Sequence, residues 1–397
     1  MVVKERKRIS ILGSTGSVGR NTLDIVKHNP GQFEVIALTA GCNVQDLIDQ
    51  AITHKPKVVA IADASAYSKL KDALEGTAIS VAAGPDAVIE AAEQPADLIM
   101  AAIVGAAGLK PTLTAVAQGK IVALANKECL VSAGSIFMNS VKRHSTTLLP
   151  VDSEHSAIFQ VFDAKQRNAI RRIILTASGG PFRQLPADRM ANVLPSEAIA
   201  HPNWSMGSKI SVDSATMMNK GLELIEAHHL FAMPDHQIDI LVHPQSVVHS
   251  LVEYVDGSVL AQLGAPDMRT PIAYALGWPN RLTVPCERLD LAQIAKLTFE
   301  APDSNRFPAL SLARSALQAG GTAPTILNAA NEVSVARFLA GEIGFLDIAR
   351  AVENALAKGS FNEPSCLDEV LEVDAEARQT ARNWIAVEPF ARYVEKG

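Results

Sequence analysis

Two carboxylates one residue apart close the stretch Leu148-Leu149-Pro150-Val151-Asp152-Ser153-Glu154-His155-Ser156. The apolar run before them reads as a buried strand. Strand ends in an open α/β sheet are where ligands bind. Two acids there, with no basic neighbour in the local sequence, point to a hard divalent cation such as Mg²⁺ or Mn²⁺. The plainer alternative is an acidic loop or a helix N-cap, since Asp and Ser both cap well.

A second acidic element lies in Ser211-Val-Asp213-Ser214-Ala-Thr-Met-Met-Asn219-Lys220-Gly-Leu-Glu223-Leu-Ile-Glu226-Ala, which reads as the capped start of one helix. At 100° per residue, Asn219, Lys220 and Glu223 fall within an arc of about 100°. An amide, an ammonium and a carboxylate on one face suit a phosphate and a metal together. The alternative is a solvated face with an i,i+3 Lys–Glu pair. Gly221 argues against a plain surface helix, because glycine costs about 1 kcal/mol there. Between the two elements, His201-Pro202-Asn203-Trp204-Ser205-Met206-Gly207-Ser208 combines breakers with an indole, a thioether and an imidazole. It reads either as a lid over a polar site or as a packed loop.

Ile9-Ser-Ile-Leu-Gly13-Ser-Thr15-Gly16-Ser17-Val18-Gly19 runs from strand to helix. Glycine lets the backbone turn tightly and approach a pyrophosphate, and the following helix start offers N–H groups and a positive dipole end. In this context the run predicts dinucleotide binding rather than an unliganded turn. The second strand ends in Thr39-Ala40-Gly41-Cys42-Asn43. With no carboxylate to repel a 2′-phosphate, NADP is favoured over NAD. No arginine or lysine stands at that turn either.

Positioning these groups takes a long series of elements. Strands are expected at Ile9–Gly13, Phe33–Ala40, Val58–Asp63, Ala78–Ala83, Asp97–Val104, Lys120–Ala125 and Thr146–Val151, with helical patterns such as Val18–His28 and Ala64–Leu74 between them. That rhythm predicts βαβ units and a mostly parallel, doubly wound sheet whose strand exits share one edge. From Arg171 the pattern changes. Arg171–Thr176, Ile238–His243, Ser246–Val255 and Ser258–Leu263 read as a mixed sheet, with Asp256-Gly257 as a hairpin turn. Pro279–Pro302 reads as a linker. Helical patterns follow at Ala309–Gln318, Ala323–Ala340, Phe345–Ala357 and Leu367–Trp384.

Bulk properties narrow the class. At 397 residues, two or three domains are expected. A hydrophobic content of 48% with 20% charged residues is globular. The net charge of -6 gives nucleic-acid binding no electrostatic support. Cys42, Cys129, Cys286 and Cys366 form no CxxC, which argues against a thiolate zinc site and fits a reducing compartment. The longest strongly apolar run, Leu98 to Leu109, is about half of the ~20 residues a membrane span needs. MVVKERKRIS leads straight into a strand without a signal-peptide apolar region. A cytoplasmic protein is expected.

The segments GSTGSVG, ALANKE, LLPVDSEHSAIFQ, TASGGPF, HPNWSMGSKISVDSATMMNKGLE and HPQSVVHSLV together resemble the 1-deoxy-D-xylulose 5-phosphate reductoisomerase family. The resemblance extends over nearly the whole chain. It implies formation of 2-C-methyl-D-erythritol 4-phosphate in the non-mevalonate isoprenoid route, with NADPH and a divalent cation (Mg²⁺, Mn²⁺ or Co²⁺). It implies Asp152, Glu154 and Glu223 as metal ligands. The substrate site would comprise Lys127, Ser153, Glu154, Ser178, His201, Trp204, Ser214, Asn219, Lys220 and Glu223, with Lys127, Glu154 and His201 nearest the chemistry. Thr15, Gly16, Ser17, Val18, Gly41, Asn43, Asn126, Glu128 and Gly207 would contact the cofactor. Many relatives carry a basic residue where Cys42 stands, so this chain departs from the pattern at the 2′-phosphate.

The expected organisation is α/β. Residues 1–151 form an NADPH-binding, Rossmann-like parallel sheet, and residues 152–278 an α+β catalytic and dimerisation domain with a mixed sheet. A linker at 279–305 leads to a C-terminal helical bundle at 306–397. A homodimer is expected, since the strands around His243–Leu263 would otherwise leave apolar surface uncovered. The competing readings are another Rossmann-fold NADP-dependent dehydrogenase acting on a small phosphorylated or semialdehyde substrate, and a non-catalytic dinucleotide sensor. The first needs no three metal-type carboxylates, and the second needs neither acidic element.

Overall fold

Seven short apolar runs become parallel strands: β1 (Lys7–Leu12), β2 (Phe33–Ala40), β3 (Val58–Ile61), β4 (Ser80–Ala83), β5 (Leu98–Ala101), β6 (Ile121–Leu124) and β7 (Thr147–Pro150). In the computed structural model, which describes residues 6–204 and 206–387, they lie in the order β4-β3-β2-β1-β5-β6-β7. Every pairing is parallel. Ile9, Ile11, Leu38, Ile61, Leu98 and Met100 are fully buried, as strands covered on both faces require. The order reverses between β1 and β5, which opens a ligand crevice at the carboxyl ends of the strands. Most strands are shorter than their apolar runs. The run at Asp97–Val104 pairs only over Leu98–Ala101, and its chain then turns at Gly105, whose φ is +72°.

This sheet belongs to one of two compact units. That unit holds the described part of Met1–Cys129 with Phe137–Phe159 and Asp267–Glu287. The last stretch, expected in the middle domain and linker, thus packs with the first sheet. Its helix Arg269–Gly277 buries Ile272, Ala275 and Leu276 in the same core as Ile9 and Leu23. Lys7 Nζ donates to Leu276 O at 2.9 Å, and Arg269 pairs with Asp267 at 2.7 Å and Asp24 at 3.3 Å.

The second unit holds Leu130–Ile136, Gln160–Pro266 and the described part of Arg288–Gly397. Its sheet comprises β8 (Ile170–Ala177), β9 (Ile238–Val242), β10 (Val248–Tyr254) and β11 (Val259–Leu263), in the order β11-β10-β8-β9. β8 and β9 are parallel and the other pairs antiparallel. The Asp-Gly turn forms as expected: Gly257 has φ +87° and Tyr254 N–H donates to Ser258 O at 2.8 Å. Helices Ala309–Ala319, Ala323–Leu339, Asp347–Lys358 and Leu367–Val387 follow. The expected tail residues 388–397 lie outside the described residues. Ala323–Leu339 is buried nearly all round, with Thr325, Asn328, Asn331 and Ser334 inside it.

One expectation fails here. Ser211–Ala227 is not one helix but parts of two, Ser208–Ala215 and Met218–Phe231. The break falls at Met217, whose φ is +63°, and the Thr216 hydroxyl takes up the Met218 N–H at 3.3 Å. Gly221 also has a different explanation from the one the sequence suggested. A Cβ there would lie 2.6 Å from the Cβ of Ala313, so glycine is required for close packing of two buried helices.

Further along the same helix, the imidazole of His229 lies against Gly134, where a Cβ would approach its Nε2 to 2.2 Å. Burial, then the neighbouring His228, pushes its pKa down from 6.5 to about 4. Between those values the unfolded chain takes up a proton that the folded chain refuses. Stability should therefore be full above pH 6.5, fall as the pH drops, and have lost about 3 kcal/mol below pH 4 from this group. Denaturant unfolding of His229→Gln across pH 4–7 should show that slope removed. An unchanged slope would show that other groups set the acid sensitivity.

Candidate active site

The glycine run is held open by neighbours rather than by its own sequence. Gly13 N–H donates to Thr39 Oγ1 at 2.9 Å, and Ser14 N–H to Thr39 O at 2.7 Å. Gln50 takes the Ser14 hydroxyl at 2.7 Å and returns its amide to Ser14 O at 3.0 Å. Gly13 has φ +84°, and a Cβ on it would lie 2.6 Å from Ala102 O. A Cβ on Gly19 would lie 2.4 Å from Gly13 O. These two glycines are therefore steric necessities, one for the turn and one for seating the helix. The helix Ser17–His28 starts at Gly16 with no side-chain cap and no acid in its first turn. Thr15, Gly16, Ser17 and Val18 thus surround a helix start suited to an anion. Gly41 has open space around it, and Asn43 caps the helix Val44–His54 by accepting the Asp46 N–H at 3.2 Å.

At the exits of β6 and β7 the first unit gathers polar groups. Asn126 is buried, with its amide nitrogen pinned to Ile103 O at 2.5 Å and Gly105 O at 3.0 Å. Its Oδ1 is buried with no partner among the described residues. Lys127 Nζ donates to Asp152 Oδ2 at 2.6 Å, both side chains being about nine-tenths buried. The helix Ser153–Val161 begins directly after Asp152, so Asp152 Oδ1 accepts the Glu154 N–H at 3.3 Å, a short-range capping bond. His155, fully buried, sets its Nδ1 3.2 Å from the same oxygen. Ser153 Oγ donates to Glu154 at 2.6 Å. Lys127, Asp152, Ser153 and Glu154 are thus brought together, and Glu128 is buried beside Lys127 in sequence.

In the second unit, Glu223 is fully buried and Lys220 nearly so, which rules out the solvated helix face. Asn219 Nδ2 donates to Glu223 Oε1 at 2.5 Å, and Lys220 Nζ pairs with Glu223 Oε2. Ser178, at the exit of β8, lies 2.9 Å from His201 Nε2. His201 Nδ1 accepts two backbone N–H groups, from Asn203 at 3.2 Å and Trp204 at 3.0 Å. That fixes Nδ1 as the acceptor, so the Nε2–H donates to Ser178 Oγ. Burial holds the His201 pKa below its ordinary value, which keeps the ring neutral. Ser178 Oγ also accepts the Gly180 N–H at 3.1 Å, and its own proton remains available to a ligand. Trp204 stands 6.0 Å from the His249 ring. Ser205, in the expected lid, lies outside the described residues. Gly207 starts the helix Ser208–Ala215, which carries Ser214.

Sequence reasoning missed several supports. Asp213, one residue before Ser214, is buried between Lys209 at 2.9 Å and Asn331 Nδ2 at 2.8 Å. Asn331 lies 118 residues away, so no local pattern announces it. Thr39 and Gln50 are likewise ordinary residues of a strand and a helix. An i,i+4 spacing of Lys209 and Asp213 was the one available signal.

Comparison with known proteins decides the family. Sequence profiles of the 1-deoxy-D-xylulose 5-phosphate reductoisomerase family match residues 9–134, and those of its C-terminal domains match residues 148–231 and 263–380. A 1-deoxy-D-xylulose 5-phosphate reductoisomerase of Rhodospirillum centenum is 63% identical, over 96% of this chain and 94% of that one. The chain belongs to the 1-deoxy-D-xylulose 5-phosphate reductoisomerase family. A reductoisomerase of Zymomonas mobilis is 56% identical over 95% of this chain and 97% of that one. The solved reductoisomerase from Zymomonas mobilis in complex with NADPH superposes with a TM-score of 0.92 at 54% identity, over 97% of this chain and all of that one. A reductoisomerase solved with NADPH, fosmidomycin and magnesium gives 0.91 at 43% identity, over 96% and 98%. The reductoisomerase fold expected from the sequence, a Rossmann-like parallel sheet with a mixed sheet and helices, is the fold observed.

Proposed function

We propose that this reductoisomerase-family chain converts 1-deoxy-D-xylulose 5-phosphate to 2-C-methyl-D-erythritol 4-phosphate, with NADPH and a divalent cation. Family membership over nearly the full chain carries the reading. The dehydrogenase alternative is not favoured, because it has no need of three metal-type carboxylates.

The residues fit both groups. The uncapped start of Ser17–His28, with the close-packed Gly13 and Gly19, suits a diphosphate. The orphaned Asn126 Oδ1 suits an amide donor of the cofactor. Thr15, Gly16, Ser17, Val18, Gly41, Asn43, Glu128 and Gly207 complete the proposed cofactor contacts. Asp152, Glu154 and Glu223 offer only oxygen donors, the set a hard dication takes, and we assign them as its ligands. Mn²⁺ and Co²⁺ satisfy the same donors as Mg²⁺.

When bound, the cation polarises the carbonyl and adjacent hydroxyl of the substrate, and NADPH supplies the hydride for the final reduction. The rearrangement we assign is retro-aldol cleavage and aldol rejoining. Lys127, already hydrogen-bonded to Asp152, stands ready to shuttle a proton of a substrate hydroxyl. Ser178, Ser214, Asn219 and Lys220 supply O–H and N–H groups and one cation, as phosphate demands. Neutral His201 orients Ser178 toward that phosphate instead of carrying charge itself. Ser153 orients Glu154. Trp204, on the segment from His201 to Ser208, covers the reacting carbons and excludes water.

The test follows the loss of NADPH absorbance with purified chain and 1-deoxy-D-xylulose 5-phosphate. Turnover should require the sugar phosphate, NADPH and Mg²⁺ or Mn²⁺ together. EDTA should abolish it, and added metal should restore it. Turnover that survives chelation would sink the reading.

The same reading places the chain in the cytoplasm as a homodimer. No described helix is long and apolar enough to cross a membrane. β11 is an edge strand, and Val259 and Leu260 on it are about half exposed, a surface a second copy would cover. Light scattering at low concentration tests the dimer.

A further inference from the structure

The turn after β2, Thr39-Ala40-Gly41-Cys42-Asn43, contains neither a carboxylate nor a cation. In a dinucleotide-binding sheet this turn lies beside the adenosine ribose, and the charge placed there chooses between a 2′-hydroxyl and a 2′-phosphate. A cation reaches it from another element. Arg20, in the first turn of Ser17–His28, pairs with Asp46, in the first turn of Val44–His54. Asn43 Nδ2 donates to the same carboxylate oxygen at 2.6 Å. The guanidinium and the Asn43 amide therefore converge on one point, one residue beyond the exposed Cys42. The other basic residues of these two helices, Lys27, His28 and His54, stand in their last turns, away from the carboxyl edge of the sheet. Lys57 pairs with Glu34 near the amino ends of β3 and β2.

We infer that Arg20 recognises the 2′-phosphate of NADPH in this chain, with Asn43 as a second donor and Asp46 as the group that aims Arg20 when no phosphate is bound. The inference rests on the NADPH reading above. The Arg20 side chain is 58% exposed, so its pair with Asp46 is a weak one that opens readily. A phosphate offers the planar guanidinium a bidentate acceptor of higher charge. NADH offers no such acceptor, so Arg20 stays on Asp46. Discrimination then comes from one side chain on the first helix instead of from the turn.

Equilibrium binding of NADPH and of NADH to the full chain, read by nucleotide fluorescence, tests this. Arg20→Gln should weaken NADPH about tenfold, the loss of one charge-assisted contact, and leave NADH unchanged. It should also flatten the salt dependence of NADPH binding. Arg20→Lys should keep part of the preference, and Asp46→Asn should strengthen NADPH severalfold. Competition by 2′,5′-ADP should follow the NADPH pattern. Equal weakening of both nucleotides by Arg20→Gln would show that Arg20 merely supports the glycine run, and unchanged NADPH binding would show that it does not touch the phosphate. Either result overturns the inference while the proposed function stands. Wild-type chain that binds neither nucleotide would overturn both.

Discussion

Glu154→Gln should lower kcat/KM for the sugar phosphate by about three orders of magnitude. The side chain keeps its shape and loses its charge, and the Ser153 hydroxyl still has an oxygen to donate to. Glu154 is only part-buried and glutamine keeps its volume, so the fold is expected to hold. What goes is one of the three anionic donors proposed for the cation. A bound metal contributes several kcal/mol of charge stabilisation in the transition state, and each tenfold in rate is about 1.4 kcal/mol. The half-saturating metal concentration should rise, and the NADPH dissociation constant should stay within about twofold. Normal metal titration with normal kcat would remove Glu154 from the ligand set. Loss of NADPH affinity in parallel would instead point to a general disturbance of the β7 exit.

Lys220→Met should strongly destabilise the second unit. It takes the Lys220 ammonium from the fully buried Glu223 carboxylate, and breaking a buried pair in this way costs about 3–5 kcal/mol. Denaturant unfolding of the second unit measures this. Adding Glu223→Gln to that variant should restore most of the stability, because a neutral pair of similar volume buries no charge. Activity should not return in the double variant, since both the proposed phosphate cation and the proposed metal ligand are gone. A single variant as stable as the parent would show that the pair is not desolvated as described. A double variant with restored activity would assign the pair a purely structural role.

Much of this was legible in the chain. The alternation of short apolar runs with helical patterns located all seven parallel strands, because βαβ order is written in local periodicity. The glycine run, the Asp-Gly hairpin and the Asp-Ser-Glu strand exit were legible because each depends on backbone geometry within a few residues. Asn219, Lys220 and Glu223 shared one helix face as their spacing required. The single helix expected over Ser211–Ala227 was wrong, since a left-handed Met217 held by Thr216 cannot be read from residue type alone. The solvated alternative for Lys220–Glu223 could not be dismissed from sequence either, because burial of a helix depends on what packs on it.

The sequence by itself therefore determined the α/β class and where the glycine run and the acidic elements stand in it. Those follow from hydrophobic period and turn chemistry, which act over the span of one element. Tertiary structure alone decided that Arg269–Gly277 completes the first core, that Gly221 is there for Ala313, and that Asn331 holds Asp213 beside Ser214. It also decided that Arg20 meets Asp46 at a turn otherwise without charge. Each of these joins groups far apart in the chain or on different elements. Their meeting is set by how helices and sheets pack, and packing energy is shared among many residues with no local signature.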